Sequence, residues 1–127
     1  MAFEPMLFVD DVEASSRWLQ DLLGVKSAHG GKEYEMLVDA DRRLVVQLHH
    51  ADGEEHGGDR LPTGAPRGAG VLLYFPVADV RAAYAKAQAM GAHCESPPVF
   101  INLAGHTEFV VRDQDGYAFA LYQRGQH

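Results

Sequence analysis

Only one cysteine, Cys94, occurs among 127 residues. A lone thiol excludes an internal disulfide and any cysteine-rich zinc site, and a reducing cytoplasm is the expected compartment. Basic side chains are also scarce, 11 Lys and Arg against 18 Asp and Glu, for a formal charge of -7. Affinity for a phosphate backbone or an anionic membrane surface comes mainly from Lys and Arg, so neither partner is expected. No apolar run approaches the roughly 20 residues that span a bilayer. The opening MAFEPML carries no basic n-region, so no signal peptide is expected. Phosphate loops, dinucleotide fingerprints and nucleophile elbows are missing as well. What remains is 46% hydrophobic and 23% charged, the balance of one soluble globular domain.

The first segment, Ala2 to Val9, is short and apolar and predicts a strand. Asp10 with Glu13 three positions on has the spacing of a capping box, with Asp10 as N-cap. Val12, Ser15, Leu19, Leu22 and Leu23 then recur at helical spacing as far as Gly24, a C-cap glycine. Three extended stretches follow: a weak one from Val25 to Gly30, an alternating one from Glu33 to Asp39, and RLVVQLHH from Arg43 to His50. Ala40-Asp41-Arg42 is a short turn that makes the last two a hairpin. From Ala51 to Ala69 the chain is rich in Gly, Pro and charge, with no period, and predicts a loop.

Beyond that loop the first pattern returns. Gly70 to Val77 predicts a strand, and Asp79 caps a helix bearing Val80, Ala83, Tyr84, Ala87 and Met90. His93 to Ser96 is a short strand and PPVFINLAG a loop. His106 to Arg112 and Tyr117 to Gln123 form a hairpin around Asp113-Gln114-Asp115-Gly116. Aligned position for position, EMLVDADRRLVVQL and EFVVRDQDGYAFAL equate Glu35 with Glu108 and Gln47 with Ala120. Half the chain cannot bury both its helix and its sheet, whereas two repeats together can. The expected fold is α+β: two tandem βαβββ modules, 1–52 and 68–127, joined by a Gly/Pro-rich loop 53–67. They form a single domain, a cupped mixed sheet with helices on its outer face.

On this doubled βαβββ unit, with MLFVDDVEASSRWLQDLLGV opening and EFVVRDQDGYAFALYQ closing it, nearly the whole chain resembles the vicinal oxygen chelate superfamily. That group holds glyoxalase I, bleomycin-resistance proteins and extradiol dioxygenases. The closing hairpin has DQDG where the family usually has D-P-D-G. The resemblance implies four inward metal-ligand positions, which fall here on Glu4, Gln47, Leu72 and Ala120. Only Glu4 is a good ligand, Gln47 offers a weak carbonyl oxygen, and Leu72 and Ala120 offer nothing, so the family metal is not expected.

Strand alternation extends the inward set. Val45 and His49 follow from Gln47, and Ala118 and Tyr122 from Ala120. Tyr74 and Pro76 follow from Leu72, and Met6 and Phe8 from Glu4. Hairpin pairing adds His106, Glu108 and Val110, with Glu33, Glu35 and Leu37 opposite. Val46, Leu48, Leu73, Phe75, Phe109, Val111, Phe119 and Leu121 are left for the helix-packed core. The expected ligand-binding residues are Glu4, Phe8, Glu35, Gln47, His49, Leu72, Tyr74, Ala120 and Tyr122, with Glu108 and His106 as catalytic candidates. An apolar cup with a few polar groups is the make-up of a small-molecule pocket. Each residue also has a plainer reading: Glu4 and Glu35 as solvated rim residues, His106 with Glu108 as a surface pair, Tyr74 and Tyr122 as packing.

Three other sites come into view. His49, His106, Glu108 and Glu4 are residue types that suit zinc or manganese and make a fallback metal site. The run His50, Asp52, Glu54, Glu55, His56 is a second such cluster. Cys94 has no evident activating base and is treated as structural. The function expected first is a metal-independent small-molecule-binding protein of the glyoxalase/bleomycin-resistance type, sequestering a drug or metabolite. The alternative is an isomerase, lyase or dioxygenase using Glu108 or Glu35 as a base of raised pKa, or the relocated metal. A domain kept for interaction, with no ligand of its own, is the third. No cofactor is expected, and the expected assembly is a homodimer.

Overall fold

A computed structural model describes residues 2–51 and 67–125. The chain divides into two compact units, residues 1–65 and 66–127.

In the first unit the order is β1 (Met6–Val9), α1 (Val12–Leu23), β2 (Lys26–Ser27), β3 (Tyr34–Val38) and β4 (Leu44–His50). The sheet runs β1-β4-β3-β2, with β1 parallel to β4 and the other pairs antiparallel. Helix α1 begins at Asp11, one residue later than the capping-box spacing predicts. Asp11 has extended backbone and its carboxylate accepts from the Ala14 N–H at 3.0 Å. Either aspartate has the right side chain, and the local pattern cannot say which one leaves the helical path. Gly24, at φ 74°, closes the helix with its N–H on the Gln20 carbonyl. Val12, Ser15, Ser16, Leu19 and Leu22 form its buried stripe. The stripe covers the sheet face that carries Leu7, Val9, Leu37, Val46 and Leu48, all buried.

The second unit contains β5 (Leu72–Pro76), α2 (Val80–Ala89), β6 (His93–Cys94), β7 (Val99–Ile101), β8 (His106–Arg112) and β9 (Ala118–Arg124). The sheet order is β5-β9-β8-β6, with β7 also paired to β8 and β5 parallel to β9. Asp79 caps α2 through the Arg81 and Ala82 N–H groups, as expected. The helix covers Phe109, Val111, Phe119 and Leu121, and the Tyr84 ring meets Phe109 edge-on at 5.3 Å. Strand β7 lies inside PPVFINLAG, which the sequence pattern assigns to a loop. Pro97 and Pro98 cannot donate to a ladder, but the Val-Phe-Ile behind them can.

Both hairpins turn through five residues, held the same way. Asp39 accepts from the N–H groups of Asp41 and Arg43, and Asp113 from those of Asp115 and Tyr117. The hairpins differ in register. In the second unit the pairing runs without interruption from Arg112↔Ala118 to His106↔Arg124. In the first, Val38 pairs with Leu44 but Leu37 pairs with Val46, so Val45 is an extra residue in a bulge. The position-for-position alignment of the two hairpins therefore fails on the β3 side of the bulge. Tyr34, opposite His49, stands where Glu108 stands opposite Tyr122.

Candidate functional site

In the second unit the face away from α2 is laid out as alternation and pairing require. Tyr74 lies beside Ala120, Ala120 beside Val110, and Tyr122 beside Glu108. His106 Nε2 is 2.6 Å from Glu108 Oε1, and the Tyr74 hydroxyl donates to the same oxygen at 3.0 Å. The three aromatic rings gather around this carboxylate. His106 and Tyr122 lie 4.8 Å apart by centroid, Tyr74 and Tyr122 5.6 Å, and Tyr74 and His106 5.8 Å. The Arg124 guanidinium lies 5.7 Å from the Tyr122 ring centre. His106 is buried, whereas Tyr74 is half exposed. Burial raises the Tyr74 phenol above its ordinary pKa, and the hydrogen bond and charge of Glu108 raise it further. The site is thus a carboxylate that accepts from a phenol and meets an imidazole, on a sheet face accessible through Tyr74. Such a group can hold a ligand N–H or hydroxyl, or take and return a proton through His106.

The corresponding face of the first unit carries Met6, Phe8, Tyr34, Met36, Gln47 and His49. The Tyr34 hydroxyl donates to the Gln47 carbonyl oxygen, and the Gln47 amide donates to the Glu4 main-chain carbonyl at 3.1 Å. The buried His49 ring stands 5.8 Å from Phe8 and 6.4 Å from Tyr34, with Nδ1 2.9 Å from the His50 carbonyl. Burial raises the Tyr34 phenol, with the charges of Glu4 and Glu35 adding to it. Tyr34 and Met36 were not expected on this face. The signal for them is the one-residue excess in LVVQL, which transfers the inward role from Glu35 to Tyr34.

Glu35 corrects the sequence expectation directly. It pairs with Leu48 and lies on the α1 side of the sheet, 3% exposed. Its carboxylate accepts from the Ser16 hydroxyl at 2.8 Å, from the Ser27 hydroxyl at 2.8 Å, and from the Gly30 N–H at 2.8 Å. The Met36 N–H donates at 3.0 Å, and the His29 N–H is a longer fifth donor at 3.3 Å. Burial by itself pushes this carboxyl up, yet the hydrogen bonds from Gly30, Ser27, Ser16 and His29 hold it below its ordinary value. It is a fixed anion within the core of its unit, not a base of raised pKa facing a ligand. Glu33 and Leu37, expected on the inward face with it, move with the same register; Leu37 is fully buried under α1.

The inherited metal positions do not fit a metal. Leu72 and Ala120 have no donor atom, the Gln47 carbonyl oxygen is taken by Tyr34, and only Glu4 brings a carboxylate. Of the fallback set, His106 and Glu108 touch within the second unit, while His49 contacts Phe8, Tyr34 and His50 in the first. Among the described residues no three His, Cys, Asp or Glu side chains gather as a metal-holding group. Asp52, Glu54, Glu55 and His56 lie outside the described residues. Burial pushes the Cys94 thiol up, which favours its unreactive protonated form and agrees with a structural role. Among the described residues, no helix is long and apolar enough to cross a membrane.

The sequence profile of the Glyoxalase/Bleomycin resistance protein/Dioxygenase superfamily matches residues 3–121. The chain belongs to that superfamily. Among solved structures, it is similar to a protein of unknown function from Agrobacterium tumefaciens str. C58, at 26% identity and TM-score 0.77, covering 97% of this chain and 94% of the other. A member of the Glyoxalase/bleomycin resistance protein/dioxygenase superfamily from Sphaerobacter thermophilus DSM 20745 shares the fold at 17% identity and TM-score 0.72, with 98% of each chain covered. So does TioX from Micromonospora sp. ML1, at 19% identity and TM-score 0.69, with 100% and 98% covered. None of the curated proteins matches the chain.

Proposed function

We propose that this protein binds a small organic molecule on the sheet faces that the helices leave uncovered, without the metal of its superfamily, and sequesters it rather than transforming it. One observation carries the reading. At Leu72 and Ala120 the inherited ligand positions are apolar, and beside them Glu108 is held by Tyr74 and His106 among aromatic rings. That replaces a Lewis-acid centre with a surface for stacking and hydrogen bonding, the make-up of a binding pocket. Within the first unit, taken by itself, Phe8 and His49 also bring their rings together on the helix-free face. The reading includes a cytoplasmic homodimer, the assembly that closes open sheet edges most simply.

The deciding experiment is mass spectrometry of protein purified from its native host under non-denaturing conditions. A stoichiometric small molecule that is lost in Tyr74→Ala and Glu108→Ala variants supports sequestration. Protein that carries no such molecule, and whose melting temperature no native extract raises, overturns it. The 2.6 Å contact between His106 and Glu108 favours one other reading, an isomerase or lyase with Glu108 as general base and His106 as its proton partner. Turnover of the released molecule, abolished in Glu108→Gln while binding persists, would decide for the enzyme.

A further inference from the structure

A hollow of about 590 Å³ opens at the turn end of the β8–β9 hairpin. Its floor is apolar: Leu72, Val110 and Ala118 on the face away from α2, with half-exposed Val71 beside them. Its rim holds two arginines, each with a carboxylate of the chain against it, and the two pairs differ in kind. Arg67 Nη1 meets Asp115 Oδ1 at 2.8 Å, and the Asp115 side chain is only 2% exposed, so this pair is part of the scaffold. Arg112 Nε meets Glu95 Oε2 at 2.6 Å, but these side chains are 43% and 41% exposed. Arg112 also donates through Nη1 to the Gly116 carbonyl at 3.1 Å. Exposed ion pairs are weak and open readily to water and to competing anions. Glu95 engages one edge of a guanidinium whose planar fork is suited to gripping an anion with two parallel N–H bonds.

We propose that this hollow is a binding site for a monoanionic molecule with an apolar, ring-sized body, and that Glu95 is an internal stand-in for its anionic group. The ligand's carboxylate or sulfonate displaces Glu95 from Arg112, while its body lies on Leu72, Val110 and Ala118. The exchange conserves ion-pair number and adds burial of the apolar body, which the open hollow leaves unrealised. This rests on the reading that the face receives a small molecule, and it names the ligand's charge. The chain's excess of acidic residues by itself points the other way, to a cation; the rim is charge-balanced, and the assignment to an anion rests on the exposed fork of Arg112.

The probe is anilinonaphthalene sulfonate, whose fluorescence reports its transfer from water, with neutral phenylnaphthylamine as the same body lacking the anion. Both are titrated into the full chain. We expect saturable binding of the sulfonate at one per chain and binding of the neutral analogue about tenfold weaker or more, the scale of a charge-assisted bidentate contact. Arg112→Gln should weaken the sulfonate by about the same factor and leave the neutral analogue unchanged. Glu95→Gln, which removes the competitor and keeps the shape, should tighten the sulfonate several-fold. Should Arg112→Gln fail to fold, Glu95→Gln carries the test alone. Equal affinity for both probes, indifference of the sulfonate to Arg112, or weakened binding in Glu95→Gln overturns the anion assignment while leaving the small-molecule face standing. Failure of both probes to bind overturns the hollow as a site. The ligand recovered from the native host judges the wider reading separately.

Discussion

Ser16 on α1 donates its hydroxyl to Glu35 on β3 across 2.8 Å, tying helix to sheet through a buried carboxylate. Ser27, His29, Gly30 and Met36 complete the cage, so one acidic side chain organises the α1–β3 contact and the approach to β3 together.

Glu35→Gln should therefore destabilise the fold. The amide group presents donors to donors, and leaving buried groups unmatched costs about 1–3 kcal/mol, or several degrees of melting temperature. The pH dependence has a definite sign. Because Glu35 titrates below its ordinary value in the fold, the unfolded chain binds the proton first as pH falls. Its contribution is full at neutral pH and is lost as pH drops through the folded-state value. Melting curves of wild type and variant should differ most near neutrality and converge in acid; a gap that widens in acid would contradict the cage.

Tyr74 and Glu108 make a spectroscopic prediction. The carboxylate helps to raise the phenol, in second place behind burial. In Glu108→Gln the Tyr74 titration, followed by NMR of labelled tyrosine, should move down toward the ordinary tyrosine value without reaching it. An unmoved titration would mean that the 3.0 Å bond does not persist in solution.

The hairpin turns offer an asymmetric pair of substitutions. Arg42 has φ 63°, the left-handed region, at the turn position that Gly116 fills at φ 97° in the other unit. A residue with a Cβ pays about 1–2 kcal/mol there, and glycine repays part of that in chain entropy. Arg42→Gly is expected to be neutral or to stabilise by up to about 1 kcal/mol. Gly116→Ala should cost about 1 kcal/mol or more, because φ 97° is a conformation that a residue with a Cβ rarely adopts. Denaturant midpoints measure both, and the prediction fails if the two changes have the same sign and size.

Metal should have little effect. A true site at a hundred times its Kd would add about 2.7 kcal/mol. Zinc, nickel, manganese or iron at low concentration is expected to leave the melting temperature nearly unchanged, and a chelator not to lower it. Chelator-sensitive melting that vanishes in a His106→Ala, Glu108→Ala double variant would instead establish a metal at that pair.

Assembly is open to a simple measurement. Light scattering at micromolar concentration should give the dimer mass; a monomer there would remove the second copy from the proposed function.

Local pattern determined much of this protein. The helices over Val12–Leu23 and Val80–Ala89 follow from apolar spacing between a capping aspartate and a closing glycine or its neighbour. The inward set Leu72, Tyr74, His106, Glu108, Ala120 and Tyr122 follows from alternation, because in the second unit the pairing is continuous and period two carries from one strand to the next. The doubled strand–helix–sheet pattern was likewise legible, as were the apolar residues at the inherited metal positions. Tertiary structure decided the rest, wherever a single residue of offset changes the face. The bulge at Val45 shows in the sequence only as the one residue by which LVVQL exceeds AFAL once the two turns are aligned, yet it moves Glu35 from a ligand surface into a core cage and puts Tyr34 in its place. Likewise, Pro97-Pro98 hides a three-residue strand that exists only because β8 is there to pair with it. Nor does spacing bring Arg67 and Arg112 to one hollow; the hairpin turn does that, by folding residues far apart in the chain onto the same end of the sheet.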